Sequence, residues 1–150
     1  NYVADCTIET DQLALIPDSY IDMTAEKIRI YKELDSLTSD KEMDMMKSRL
    51  ADRFGTLPDE LLRLFDIVRI RQLGQKTGFE KIIIKNGVMI AFFISNPMSK
   101  YYKSDRFSKV LENLSSYPKI FELKQNDSKL RIFVRNIDSI SKAYEILKRL

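Results

Sequence analysis

The side chains able to do chemistry in this sequence are few, and the gaps among them are as informative as the residues present. The chain has no histidine. That removes the commonest general base, the usual partner of a serine or cysteine nucleophile, and the commonest metal ligand. Cys6 is the only cysteine, so no internal disulfide can form and no structural zinc site can be built from thiolates. A reducing compartment is the plainer reading of that count. The four glycines carry neither G-x-x-x-x-G-K-[ST] nor G-x-G-x-x-G, the loops that cradle nucleotide phosphates. Asp40, Glu42 and Asp44 cluster in sequence, but alternation around a helix face points to solvated carboxylates rather than to a metal or acid–base site. No residue set nominates this chain as an enzyme acting alone.

One stretch has the composition of a nucleic-acid contact. SKYYKSDRFSK (99–109) interleaves Lys100, Lys103, Arg106 and Lys109 with Tyr101, Tyr102 and Phe107. Cations neutralise phosphates and aromatic rings stack on bases, which makes Lys100, Tyr101, Lys103 and Arg106 candidates. The competing reading puts Phe107 in the core stripe of a helix, with the tyrosines packed at its entry. The charge distribution is compatible with either. Residues 1–60 carry 14 Asp/Glu against 7 Lys/Arg, and residues 61–150 carry 8 against 18. An acidic front and a basic back can serve two partners, attract each other, or simply be solvated faces.

The elements that must position these residues follow from period and punctuation. The first 21 residues, with Val3, Cys6, Ile8, Leu13 and Leu15, read as one or two extended segments ending at Pro17. Asp22 or Thr24 is the expected cap of a helix whose apolar residues are Ile28, Tyr31, Leu34 and Leu37. Ser39 and Glu42 form a capping box that opens a second helix with Met43, Met46, Leu50 and Phe54 on one side. Gly55 suits the left-handed closure of that helix, and Pro58 the first turn of the next. Asp59 and Glu60 favour the positive end of the third helix dipole. Leu61, Leu62, Leu64, Phe65, Ile67, Val68, Ile70 and Leu73 make that helix apolar over much of its circumference, and Gly78 ends it.

The period then changes. FEKIIIK-NG-VMIAFFIS (79–95) is a hairpin signal with Asn86-Gly87 in a two-residue turn. A helix from near Ser104 carries Phe107, Val110, Leu111 and Leu114, a second hairpin turns around Asn126-Asp127, and a last helix after Asp138 carries Ile140, Ala143, Tyr144 and Leu147. The prediction is an α+β fold: an N-terminal extended segment and three helices, then hairpin–helix–hairpin–helix forming a mainly antiparallel sheet packed by helices. The 150 residues are one domain's worth of chain, with no low-complexity linker between the lead-in (1–21), the helical part (22–77) and the hairpin part (78–150). No apolar run approaches the roughly 20 residues that span a bilayer. The start lacks the basic and apolar regions of a signal peptide, and the absence of an initial Met fits a piece of a longer protein.

The order of four phrases resembles one family. LALIPDSYI (13–21), IRIYKELDSL (28–37), LADRFGTLPDEL (50–61) and IRQLGQKTGFEKI (70–82) are similar to successive landmarks of the C-terminal (TRCF) domain of bacterial transcription-repair coupling factors, the Mfd family. The resemblance is densest over residues 13–82. It implies a cytoplasmic parent that is an ATP-driven DNA translocase, displacing stalled RNA polymerase and recruiting excision repair. ATP and Mg, and the contacts to DNA, would belong to other domains, leaving no cofactor and no membrane role here. It further implies a non-catalytic, autoinhibitory domain that docks on the parent's UvrB-like module and masks the surface for UvrA. In the family, acids on the helix before the RFG turn face arginines of that module, and Asp52 matches such a position. One turn earlier, where the family pattern allows a second acid, this chain has Arg49. Docking here would also draw on Asp44 and Lys47, while Phe54, Gly55 and Pro58 build the turn itself.

Overall fold

The computed structural model describes residues 2–127 and 129–150. The chain separates into two compact units, one of residues 1–12 and 69–150, the other of residues 13–68.

The 13–68 unit is helical. It contains α1 (Thr24–Ser36), α2 (Asp40–Phe54) and the first half of α3 (Asp59–Thr77). Its core joins Ile16, Ile21, Ile30, Leu34, Leu37, Met43, Met46, Leu50, Leu61, Phe65 and Val68. On α1 the buried register is Ile30, Leu34 and Leu37, whereas Ile28, expected inside, is exposed. Either register is compatible with helical spacing, and packing against α2 selects one. The α1 cap also differs from expectation: Met23 occupies it, with no side-chain hydrogen bond. The cap of α2 is as expected, Ser39 Oγ accepting the Glu42 N–H at 3.2 Å. Glu42, however, reaches one residue further back, accepting from the Thr38 hydroxyl at 2.7 Å and the Thr38 N–H at 3.2 Å. Those bonds, the Thr38 hydroxyl foremost, hold its carboxyl below the usual range.

Between α2 and α3 the chain turns at Gly55, with φ +93° and ψ −172°. This conformation is outside the left-handed helical region and is open essentially to glycine alone. The Pro58 carbonyl accepts the first α3 bonds, from the Leu61 and Leu62 N–H groups at 3.1 Å each. Pro58 therefore stands just before α3 rather than inside its first turn. The Tyr20 hydroxyl is shared between the Gly55 carbonyl at 2.8 Å and the Leu50 carbonyl at 3.2 Å. Its ring packs on Phe54.

The other unit is a five-stranded sheet with helices. β1 (Thr7–Thr10), β2 (Phe79–Lys85), β3 (Val88–Phe93), β4 (Glu122–Asn126) and β5 (Lys129–Arg135) lie in the order β1-β2-β3-β5-β4. The two hairpins, β2–β3 and β4–β5, join through antiparallel pairing of β3 with β5. β1 adds the one parallel pair in the sheet, beside β2. Asn86 and Gly87 take positive φ in the first hairpin turn. In the second, Asp127 does so, and the remainder of that turn, residue 128, lies outside the described residues. A 3-10 turn (Lys100–Lys103), α4 (Asp105–Ser116) and α5 (Ile140–Leu147) complete the unit. The α+β expectation holds, with the sheet mainly antiparallel.

Burial alternates along the strands. Ile82, Ile84, Met89, Ala91, Phe93, Ile132 and Val134 are buried, while their neighbours Ile83, Ile90, Phe92 and Phe133 are only half-buried. Period-2 alternation is the mark of a sheet with one covered face. Gly74 of α3 approaches that covered face so closely that a Cβ would lie 2.6 Å from Cys6 Sγ. Gly78, at φ +109°, closes α3 where any Cβ would overlap the ring of Tyr101. Among the described residues no helix is long and apolar enough to cross a membrane.

Two outcomes follow from these positions. Gly55→Ala meets open space and only backbone strain, so it should lower stability by about 1–2 kcal/mol in urea denaturation. Gly78→Ala adds a clash with a fully buried ring and should cost roughly twice that or more. Burial, with Asp5 adding to it, pushes the Cys6 thiol up to about 12 from an ordinary 9.0. A raised acid in the native state stabilises the fold fully below its unfolded value, so this contribution should be intact below pH 9 and decline from there towards 12. Iodoacetamide at pH 8.5 should leave Cys6 unmodified in the native protein and alkylate it in urea.

Candidate docking surface

The four residues proposed for docking all lie on α2, but they point three ways. Met43, Met46 and Leu50 fix the buried stripe. Opposite them Lys41, Asp44, Met45, Ser48 and Asp52 are exposed at three- and four-residue spacing, which lines them along one outer face. Among the described residues neither Asp44 nor Asp52 forms an ion pair or hydrogen bond. Both carboxylates are presented to solvent as acceptors without partners.

Arg49 and Arg53 are turned towards α1. Arg49 pairs with Glu33. Arg53 donates to Glu26 at 2.7 Å, and its guanidinium lies 4.7 Å from the Phe54 ring centre. Glu26 also holds Arg29 on its own helix. Lys47 faces α3, its ammonium 5.2 Å from the Phe65 ring centre. The arginines of α2 are thus matched by α1 carboxylates, and the outer stripe is left acidic apart from Lys41. The sequence carried Glu26 and Glu33 at i and i+7 on one helix face, a signal that becomes a brace only once α1 and α2 are paired.

Phe54, Gly55 and Pro58 form the joint described above, with Phe54 partly buried against Tyr20. Tyr20 also belongs to that joint; in the sequence it stood only as part of the 13–21 phrase, with no role of its own.

The residues of the 99–109 stretch are divided between surface and core. Tyr101 is fully buried, and its hydroxyl donates to the Thr77 carbonyl at 2.6 Å. Burial moves that phenol upward. Arg106 spends its donors on the Lys76 carbonyl at 3.1 Å, the Leu150 carbonyl at 3.3 Å and the Thr77 hydroxyl at 3.3 Å. The Tyr101 hydroxyl and the Arg106 Nε thereby satisfy the Thr77 and Lys76 carbonyls left open by the end of α3. Lys100 and Lys103 remain exposed. The four candidates therefore do not assemble a ring-and-cation platform, because the ring faces inward. Among the described residues no group of three or more Cys, Asp or Glu is placed to hold a metal ion.

Fold and surface together describe an α+β domain with a paired-helix unit that turns an acidic helix face outward. The same fold is found in the crystal structure of the C-terminal domain of a transcription-repair coupling factor, with a TM-score of 0.72, 18% identity, and coverage of 97% of this chain and 86% of that one. The TRCF domain profile matches residues 10–104, and the chain belongs to that family. Among relatives, the transcription-repair-coupling factor of Rickettsia bellii is 32% identical over 132 residues, covering 87% of this chain and 11% of the relative. That of Escherichia coli K12 is 37% identical over 75 residues, covering 50% and 6%. The chain spans about a tenth of the length of such relatives.

The brace between α1 and α2 makes a stability prediction. Glu26 serves two arginines with its side chain only 12% exposed, whereas Glu33 serves one at 35%. Glu26→Gln should lower stability by about 1–2 kcal/mol in urea denaturation, and Glu33→Gln by less than about 1 kcal/mol.

Proposed function

We propose that this chain is the regulatory C-terminal module of a transcription-repair coupling factor and acts by docking rather than by catalysis. Its parent would be an ATP-dependent DNA translocase that couples stalled RNA polymerase to excision repair, with ATP and Mg bound in other domains. The module docks on the UvrB-like part of the same protein and covers the surface that UvrA would use. Such a contact restrains the parent because it exists in one state and not in the other, and that differential affinity sets the population.

The observation that carries this reading is the outer stripe of α2, where Asp44 and Asp52 are exposed and, among the described residues, without ionic partners. Two free carboxylates on a helix held rigid by the Glu26 and Glu33 brace suit a basic partner surface. The arginine in place of a second acid, Arg49, is directed into the brace. The partner is therefore met by Asp52 and Asp44, with Arg49 and Lys47 supporting the helix from within.

Titration of the domain with the UvrB-like module of its parent, followed by calorimetry, tests this. Asp52→Arg should weaken binding at least about tenfold, and Asp44→Arg less, both with wild-type circular dichroism. Removing the domain should raise the ATPase rate of the parent. Unchanged affinity in both variants would remove α2 from the interface, and duplex DNA binding in place of module binding would overturn the regulatory reading.

A further inference from the structure

The open face of the sheet is more ordered chemically than a solvated surface requires. Strand register arranges it in three rows. The middle row runs Glu9, Ile83, Ile90, Phe133, Glu122 across all five strands. One flanking row runs Lys81, Phe92, Arg131, Lys124, and the other runs Lys85, Val88, Arg135. The centre is therefore apolar and aromatic, and five cations frame it. The two carboxylates sit at the ends of the middle row. Glu9 lies 3.0 Å from Lys81 and 3.8 Å from Lys85. Glu122 lies 3.5 Å from Lys124 and 3.5 Å from Arg135. Each glutamate holds two cations from opposite rows and neutralises only half of their charge.

Phe133 lies at the focus of this arrangement. The Lys124 ammonium is 4.6 Å and the Arg131 guanidinium 5.2 Å from its ring centre. The buried Nε of Arg131 has no hydrogen-bond partner among the described residues. Phe92 is opposite Arg131, and Phe133 is opposite Ile90. The two rings are thus diagonal neighbours on adjacent strands, about 7–8 Å apart at the backbone. Past the β4–β5 edge of the face lies a cavity of about 650 Å³, lined by Phe133 and Arg135 but also by the buried Phe121, Val134 and Ile146, so it belongs to the edge between the strands and α5 rather than to the open face.

We propose that this open sheet face binds single-stranded DNA, with bases stacking on Phe133 and Phe92 and phosphates held by Lys81, Lys124, Arg131, Lys85 and Arg135. Ring faces reward unpaired bases, which a duplex hides in its stack, and the flanking cations track a backbone on either side. A base settling on Phe133 releases the Lys124 ammonium to the adjacent phosphate. The glutamate pairs are solvent-exposed, so exchanging them for phosphate contacts costs little. Ile83, Ile90 and Phe133 hold the centre of the face, so a base lying there meets apolar and aromatic side chains. This surface shares no residue with 99–109 or with α2, and its test is independent of the docking reading.

Fluorescence anisotropy of fluorescein-labelled dT12 with the 150-residue chain provides the test. We expect saturable binding that weakens steeply with salt. Phe133→Leu should weaken it roughly tenfold with the salt slope unchanged. Lys124→Glu and Arg131→Glu should each lower the slope by about one. Lys100→Glu should leave it unchanged. Circular dichroism and urea midpoints confirm that each variant is folded. Lack of dT12 binding, equal binding of a 12-base-pair duplex, tighter binding of rU12, or wild-type affinity in Phe133→Leu would overturn the proposal. So would competition by poly-glutamate as effective as that by dT12, which would mark the face as a site for acidic protein.

Discussion

The turn at Gly55 is the constraint on which the helical unit depends. A conformation at φ +93° and ψ −172° lets α2 end and α3 begin within a few residues, and a side chain there would be strained whatever space surrounds it. Tyr20 locks the turn by donating to the Gly55 and Leu50 carbonyls. Pro58 then supplies the carbonyl that starts α3. With both ends of the joint held, α2 has no rotational freedom about its axis, because Met43, Met46 and Leu50 must stay in the core. Its outer face is whatever remains, and what remains is Lys41, Asp44, Met45, Ser48 and Asp52.

Charge is sorted locally rather than cancelled globally. In the helical unit the arginines of α2 are taken up by Glu26 and Glu33 of α1, so a helix of mixed composition presents a largely acidic face. In the sheet unit Glu9 and Glu122 each hold two cations, and the Lys81 hydrogen bond foremost keeps the Glu9 carboxyl low. These carboxylates organise the basic face without neutralising it. The same logic of pairing produces an acidic surface in one unit and a basic one in the other.

Much of the architecture was legible in the sequence because it rests on local rules. Asn86-Gly87 demands positive φ at both positions and so announces a hairpin. Ser39, Gly55 and Gly78 mark helix ends because capping and positive φ admit few residue types. The order of the phrases around DRFGTLP identified the family over residues 13–82, and the profile match covers residues 10–104. Several local readings needed correction: Gly55 lies outside the left-handed helical region, Pro58 stands just before α3, and two more concern α1. Ile28 was expected inside and lies outside, since three- and four-residue spacing leaves the register of a moderately amphipathic helix open. The α1 cap falls on Met23, where tertiary packing outweighs a capping preference of about 1 kcal/mol.

The sequence by itself determined most of the helical and strand segments, and that no histidine chemistry, internal disulfide or thiolate zinc site is available. Tertiary structure alone decided which side chains of those segments face a partner, the core or solvent. For Tyr101 and Arg106 the sequence left a nucleic-acid contact and packing at the helix entry both open; in the structure the ring fills space beside Gly78 and the guanidinium closes the end of α3. The three rows of the open face exist only through β3–β5 pairing, which joins residues some 40 positions apart. The physical reason is range. Caps, turns and periodicity are set by neighbours within a few residues, whereas ion-pair choice and face exposure depend on which distant segment the hydrophobic core brings alongside.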